Sequence, residues 1–167
     1  KSERIVGRRL LDEGQPGEKR ASFPGVKALH DIFEMENRWD PISQSWWLHP
    51  SANSPDELRA LLDRVDAKLD DLRAYLLPEG WDDERAALLD AGARPPLYRG
   101  QRGPVTFATS MVGAQELIYL IADDPALASR LSDTILSTML GKVRVQDEEA
   151  GHTPETAPRG FSFLDDN

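Results

Sequence analysis

The sequence of 167 residues contains no cysteine. Disulfide bonds, a cysteine nucleophile and cysteine-ligated zinc are therefore excluded within these residues. Basic residues are also in deficit, because 20 Lys and Arg stand against 29 Asp and Glu and leave a formal net charge of −9. A surface that binds nucleic-acid phosphates without regard to base sequence is not expected from this balance.

Long apolar runs are missing as well. No stretch approaches the roughly 18 consecutive apolar residues of a transmembrane helix, and no signal-like apolar segment opens the sequence. We therefore expect a cytoplasmic protein with no membrane partner. The length and the 40% content of hydrophobic residues predict one domain over residues 1–167, large enough to bury a core.

Helix signals are clearest in the middle of the chain. Ser54-Pro55-Asp56-Glu57 is a capping box with proline at the first helical position. Leucine and valine follow at spacings of three and four as far as Leu76, and Pro78 with Gly80 ends the helix. Further helices are predicted over 1–11, 26–35, 82–91, 114–122 and from Pro125 towards a stop at Gly151.

Two segments of the second half have the composition of strands. Beta-branched and aromatic residues alternate with polar ones after Pro104, which predicts a strand over 105–110. A short apolar run over 161–164 predicts a second strand. Because helices separate the two, they should form a βαβ unit with parallel strands.

Polar side chains are expected together at the carboxyl ends of these two strands, the edge at which parallel α/β folds bind ligands. Ser110 ends the first strand, and Asp165, Asp166 and Asn167 follow the second. Asp166, as the last strand residue before the loop, is the first candidate for a catalytic residue, and Asp165 is the second. Neighbouring carboxylates can separate their pKa values, so that one acts as acid or base and the other stays ionised. Ser110 and Asn167 are candidates for substrate binding. Alternatively, the polar run serves turn chemistry alone, and Arg102, before the first strand, is interpreted as structural.

Three of the four tryptophans, Trp39, Trp46 and Trp47, fall in a short window. Large rings of this kind line a pocket or an interface, although core packing is their commoner use. Trp46, Trp47 and the nearby His49 are candidates for substrate binding. The three histidines show no metal-ligand spacing, so the sequence leaves a metal site unknown.

Four features in order resemble the uroporphyrinogen decarboxylase superfamily. They are Gly103-Pro104-Val105-Thr106-Phe107-Ala108, Gly113 with Leu117-Ile118, the helix start Asp123-Asp124-Pro125-Ala126-Leu127, and Gly160-Phe161-Ser162-Phe163-Leu164-Asp165-Asp166. The resemblance implies the N-terminal part of a (β/α)8 barrel of the TIM type. Residues 54–167 would supply barrel strands and helices, and 1–53 a less clearly related N-terminal region.

The superfamily contains cofactor-free decarboxylases, zinc-dependent methyltransferases that move methyl groups between corrinoid proteins and thiols, and barrels of unassigned activity with a paired Asp. The Arg-Gln-Ala-Gly-Arg segment with which the decarboxylases hold substrate propionates is absent from this sequence. The resemblance therefore implies methyl, or one-carbon, transfer on a small substrate. The alternatives are a decarboxylase (lyase) of a carboxylated substrate, including a tetrapyrrole, and a non-catalytic half-barrel subunit.

A complete barrel of this kind needs about 250 residues, so the resemblance also implies that half is missing. A second polypeptide, or a cleaved remainder of the same one, is expected to complete the barrel. The alternative is a truncated chain. Zinc would be bound by residues outside this chain, and a corrinoid protein is a further expected partner of the methyltransferase.

Overall fold

A computed structural model of the chain describes residues 23–97, 100–153 and 155–156, and the backbone of 163–164. The protein is of mixed α/β type, with helices predominating. Its elements in chain order are α1 (Leu29–Ile32), β1 (Glu36–Asp40), β2 (Ser45–His49), α2 (Pro55–Leu69), α3 (Leu72–Leu76), α4 (Trp81–Asp90), β3 (Gln101–Arg102), α5 (Pro104–Val112), α6 (Ala114–Asp123), α7 (Pro125–Glu149) and β4 (Phe163–Leu164).

Helix α2 begins where the capping box predicts. The Oγ of Ser54 accepts a hydrogen bond from the backbone N–H of Glu57 at 3.2 Å, and the Glu57 carboxylate accepts one from the N–H of Asn53 at 2.7 Å. The helix stops earlier than predicted because Asp71 caps a new helix, accepting a hydrogen bond from the N–H of Ala74 at 3.1 Å. The side chain of Asp71 thus competes with the backbone for this N–H, and it divides the predicted helix into α2 and α3.

The core lies between α2, α5 and α7. The four side chains that α2 buries are Leu58, Leu61, Leu62 and Val65, and those of the apolar stripe of α7 include Leu127, Leu131, Ile135 and Met139. Phe33, just after α1, meets Phe107 of α5 edge to face with ring centroids 5.1 Å apart. Such a pair adds a small directional term to the burial of two large rings.

The prediction of a strand over 105–110 is wrong, because helix α5 spans these residues. Pro104 occupies the first helical position, where its fixed φ and missing N–H suit a helix start. The N–H of Phe107 donates to the carbonyl of Gly103 at 2.9 Å. The side chains that α5 buries follow helical spacing: Phe107, Ala108 and Met111. A strand would send the first two to opposite faces, so packing overrides the β propensity.

Parallel pairing of two late strands is found, but the first of them is β3. Gln101 is the register partner of Phe163, and Arg102 is the partner of Leu164. Helices α5, α6 and α7 lie between the two strands in the chain. Arg102 is therefore the last residue of a strand, at its carboxyl end, and not before the amino end of one as the sequence was interpreted.

Strands β1 and β2 form an antiparallel hairpin in which Trp39 is the partner of Trp46. Asp40 shapes the turn, since its carboxylate accepts hydrogen bonds from the N–H of Ile42 at 3.0 Å and of Ser43 at 3.2 Å. Within the described residues the strands form two separate two-stranded sheets, and these residues do not make a closed barrel. The helix predicted over 26–35 is shorter, as α1, and the one over 1–11 lies outside the described residues.

Helices α5 and α6 meet at a sharp bend. Gly113 joins them with a φ of 94°, a conformation that glycine adopts without a steric penalty. Among the described helices, none is by itself long and apolar enough to cross a membrane. Only α5 and α6 taken together reach that length and composition, and they are bent by 96°.

Candidate functional site

A cavity of about 200 Å³ lies beside β3, between the hairpin and α7. It is bounded on one side by Trp46 and Leu48 of β2 and by Phe107 of α5. Its polar lining consists of His30, Asn37, Gln101, Arg102 and Lys142. Two of these side chains, those of Arg102 and Lys142, are basic, and none of the described residues of the lining is a carboxylate. The cavity is therefore suited to an anionic or electron-rich group.

Lys142 is the most deeply buried charged residue of this lining. It lies on α7, is only 4% exposed, and its Nζ donates a hydrogen bond to the Oε1 of Gln146 at 3.2 Å. Burial lowers the pKa of Lys142 to about 8, because a low-dielectric setting disfavours the ammonium ion. Among the described residues, no carboxylate contacts the ammonium group. Lys142 is still mainly protonated at pH 7, so the cavity contains a cation with no counter-ion in the described part of the chain.

Arg102 connects the cavity to a residue that the sequence singled out. Its Nη1 donates a hydrogen bond to the Oγ of Ser110 at 3.3 Å, and that hydroxyl donates to the carbonyl of Thr106 at 2.8 Å. Ser110 lies within α5 and does not itself end a strand, because the predicted strand is a helix. It therefore positions the guanidinium of Arg102, and it is Arg102 that lines the cavity.

Gln101 adds an acceptor to the lining. Its Nε2 donates to the carbonyl of Met139 at 3.4 Å, while its Oε1 is buried without a hydrogen-bond partner among the described residues. A buried acceptor without a partner is costly.

The hairpin tryptophans do not pack in the core, the commoner use considered for them. Trp39, Trp46 and Trp47 are 50%, 56% and 54% exposed. Trp46 lines the cavity, whereas Trp47 lies on the opposite face of β2 and donates from its Nε1 to the Oγ of Ser43 at 2.8 Å. His49 pairs in register with Glu36 and does not line the cavity. Of these candidates, the structure brings only Trp46 to the cavity.

Asp165, Asp166 and Asn167 lie outside the described residues. Strand β4 ends at Leu164, whose register partner is Arg102, and the chain continues directly into Asp165. Their proposed roles stay predictions.

Lys142 was missed by the sequence reasoning, although a signal for it exists. It follows Met139 by three residues and Ile135 by seven, so helical spacing places it on the buried stripe of α7. A lysine at such a position is unusual, because lysine is almost never fully buried without a partner. Arg102 had no comparable signal, since its place depends on a strand of two residues.

The described residues offer no metal site. No group of three or more His, Asp or Glu side chains among them lies close enough to hold an ion. The zinc that a methyltransferase of this resemblance would carry does not fit these residues.

A second cavity, also of about 200 Å³, lies between the start of α2 and α6. Its walls are mainly apolar, and its ionisable lining is acidic, from Glu116, Asp123 and Asp124. Asp124 caps α7 and pairs with Arg59 at 2.5 Å. Asp124 thus has a structural role, and none of the described residues that line this cavity belongs to β3.

Comparison with known proteins finds no match, because no family model, no curated protein and no solved structure is similar to this chain at a significant level. The family is not shown by them. Function is therefore argued from the parallel strands and from the cavity beside β3.

Proposed function

We propose that this chain forms the opening strands and helices of a uroporphyrinogen-decarboxylase-like (β/α)8 barrel that transfers a methyl, or one-carbon, group on a small substrate. The observation that carries the proposal is the parallel pairing of β3 with β4 across α5, α6 and α7. Neighbouring parallel strands joined through helices are the repeating unit of such a barrel.

The position of the cavity supports this proposal. Arg102 is the last residue of β3 and lines the cavity, and ligands of barrels bind at the carboxyl ends of the strands. On this proposal, Asp166 acts as the acid or base and Asp165 remains ionised beside it, because adjacent carboxylates separate their pKa values. Asn167 would orient the substrate by hydrogen bonds.

The size of the cavity favours a small substrate. Its volume of about 200 Å³ lies below the roughly 300–1,000 Å³ of pockets for drug-sized ligands, and a tetrapyrrole is larger still. Trp46, on one wall, supplies a flat apolar surface for such a substrate.

Decarboxylation is the second candidate, because the cationic lining of the cavity suits a carboxylated substrate. Arg102 and Lys142 would both hold a carboxylate in place. A carboxylated substrate is compatible with methyl transfer as well. The cationic lining therefore argues against a cationic substrate, but it does not distinguish decarboxylation from methyl transfer.

The proposed barrel requires strands beyond those of the described residues. They would come from other residues of the same polypeptide or from a second chain. For methyl transfer, a corrinoid protein is the proposed partner, and zinc would be held by residues outside those described.

The experiment compares the two reactions in one preparation. The purified protein, in its native assembly, is incubated with methylcobalamin and a small thiol, and S-methyl product is measured by mass spectrometry. In parallel, release of labelled CO₂ is measured from carboxyl-labelled short-chain acids, and zinc is quantified. S-methyl product with stoichiometric zinc supports methyl transfer, whereas CO₂ without methyl transfer supports decarboxylation.

Asp166→Asn tests the site itself, with Asp133→Asn on the exposed face of α7 as the matched control. We expect turnover to fall by at least about 100-fold in Asp166→Asn, a typical effect of losing a general acid or base. Unchanged turnover in a folded variant would remove Asp166 from the site. A folded assembly with neither activity would favour the non-catalytic subunit.

A further inference from the structure

The cavity contains a charge that the described residues leave without an opposite charge. A buried ammonium ion loses its hydration, and proteins normally compensate with a carboxylate. Lys142 has a neutral amide, that of Gln146, and no carboxylate among the described residues. The described residues therefore leave a place for an anion beside Lys142.

A second cation lies in the same lining. One nitrogen of Arg102, Nη1, donates a hydrogen bond to Ser110, and the side chain forms part of the wall of the cavity. A guanidinium group offers several N–H donors in a plane, a geometry that matches the two oxygens of a carboxylate. One hydrogen bond to Ser110 leaves other donors of that plane for a ligand.

We propose that this cavity binds the carboxylate of a small organic acid, with the ammonium of Lys142 as its counter-ion and the guanidinium of Arg102 as a second donor. The proposal names the ligand class of the site described above, and it rests on the proposed function only for the claim that this acid is turned over. A cavity of about 200 Å³ accommodates an acid of a few carbon atoms.

The other groups around the cavity agree with a monoanion. His30 is the remaining ionisable residue of the lining, and its Nε2 lies 3.6 Å from the Oδ1 of Asp31. Asp31 is occupied in capping α1, where it accepts a hydrogen bond from the N–H of Ala28 at 2.6 Å. Because Asp31 adds negative charge beside His30, a multiply charged anion such as phosphate should bind less well than a carboxylate.

The test is a binding measurement on the full chain with propionate, with propionamide as a neutral probe of the same shape and with inorganic phosphate. Dissociation constants are obtained from NMR titrations that follow the ligand signals. We expect propionate to bind at least about tenfold more tightly than propionamide, because charge-assisted hydrogen bonds are about twice as strong as neutral ones. Phosphate should bind more weakly than propionate. Equal binding of propionate and propionamide, or preference for phosphate, would overturn the proposal.

Lys142→Met identifies the residue responsible, since methionine keeps the length of the side chain and removes its charge. Propionate binding should weaken by at least about tenfold, with propionamide binding unchanged. Arg144→Met is the matched control, because Arg144 is exposed two residues further along α7; it should leave both unchanged. Equal losses in the two variants would indicate a general charge effect and would contradict the proposal.

A pH series gives a readout that does not depend on a variant. The propionate dissociation constant should be constant from pH 6.5 to about 8 and then rise about tenfold per pH unit, because only the ammonium form of Lys142 binds. A constant value through pH 9.5 would exclude Lys142 as the counter-ion. Binding without turnover would reject only the proposed function, whereas turnover without Lys142-dependent binding would reject only this inference.

Discussion

Helix α7 contains two buried charged residues, Glu149 and Lys142, with very different surroundings. Three donors surround the carboxylate of Glu149. It accepts hydrogen bonds from Nε of Arg73 at 2.6 Å and from Nε1 of Trp81 at 2.7 Å, and Nε of Arg85 lies 3.2 Å away. Lys142, two turns earlier, has only Gln146 as a hydrogen-bond partner. We interpret a buried charge whose hydrogen-bond and ion-pair partners are all supplied by the protein as structural. A buried charge that lacks an ion-pair partner is interpreted as available to a ligand.

The pKa values of the two groups express this contrast. Burial would raise the pKa of Glu149, but the hydrogen bonds from Arg73 and Trp81 outweigh it and hold the pKa below its ordinary value. Burial lowers the pKa of Lys142 to about 8, with nothing to oppose it. The fold therefore stabilises the charged form of Glu149 and destabilises that of Lys142.

The largest effect is expected from removing Glu149. Glu149→Leu should lower the free energy of unfolding by about 3 kcal/mol, because it leaves the buried N–H of Trp81 and the guanidinium of Arg73 without their acceptor. Urea denaturation measures this loss. Glu148→Leu, at the exposed neighbouring position, serves as control and should change stability by less than about 0.5 kcal/mol. Equal losses at the two positions would show that the donors around Glu149 do not matter.

Removing the charge of Lys142 should stabilise the protein, in contrast to the loss expected for Glu149. Lys142→Met should raise the free energy of unfolding at pH 7 by about 2 kcal/mol, because a buried cation without a counter-ion is replaced by an apolar side chain of similar length. Thermal and urea unfolding of both proteins measure the gain. A loss of stability would mean that Lys142 is paired in the folded protein and that the contrast with Glu149 is false.

The free energies of unfolding of the wild type and of Lys142→Met should become equal at high pH. The pKa of Lys142 is about 8 in the folded protein and has its ordinary value of 10.5 in the unfolded chain, so between these pH values the unfolded state binds more protons. Wild-type stability should therefore rise with pH across this window relative to Lys142→Met. A stability difference that is the same at pH 7 and pH 10.5 would contradict the burial of the ammonium.

The smallest effect concerns Glu34, a paired carboxylate like Glu149 but 35% exposed. The hydrogen bonds from Arg64 and Lys68, against the opposing effect of burial, lower the pKa of Glu34 to about 2. Glu34→Gln should cost about 1 kcal/mol at pH 7, less than Glu149→Leu because solvent screens the pair. The lowered pKa means that this stability is present above pH 4.5 and is lost as the pH falls towards 2. Urea midpoints at pH 7 and pH 2.5 should show a cost at the lower pH that is only about a quarter of that at the higher pH.

Most helices could be predicted from the sequence because their signals are local. The capping box at Ser54 starts α2, and helices predicted over 82–91 and 114–122 agree with α4 and α6 to within one residue. Gly151, the predicted stop after α7, has a φ of 68° that ends the helix. Each of these features depends on neighbours within one turn.

Segments whose structure depends on distant contacts could not be predicted in this way. Residues 105–110 have strand-like composition, but Phe107 and Met111 must reach the same core, and only a helix brings them to one face. Strand β3 is too short to show any periodicity. The choice of Trp46 for the site agrees with the cavity, while Lys142 became visible only when burial was known.

The sequence by itself determined the start of α2, the extents of α4 and α6, the start and stop of α7, the absence of cysteine from these residues, and their acidic balance. Only the tertiary structure decided that 105–110 is helical, that Arg102 ends a parallel strand, and that Lys142 lies in a cavity beside it. The reason is physical: caps and turns are satisfied by adjacent residues, whereas burial and the solvation of a charge depend on side chains brought together from distant parts of the chain.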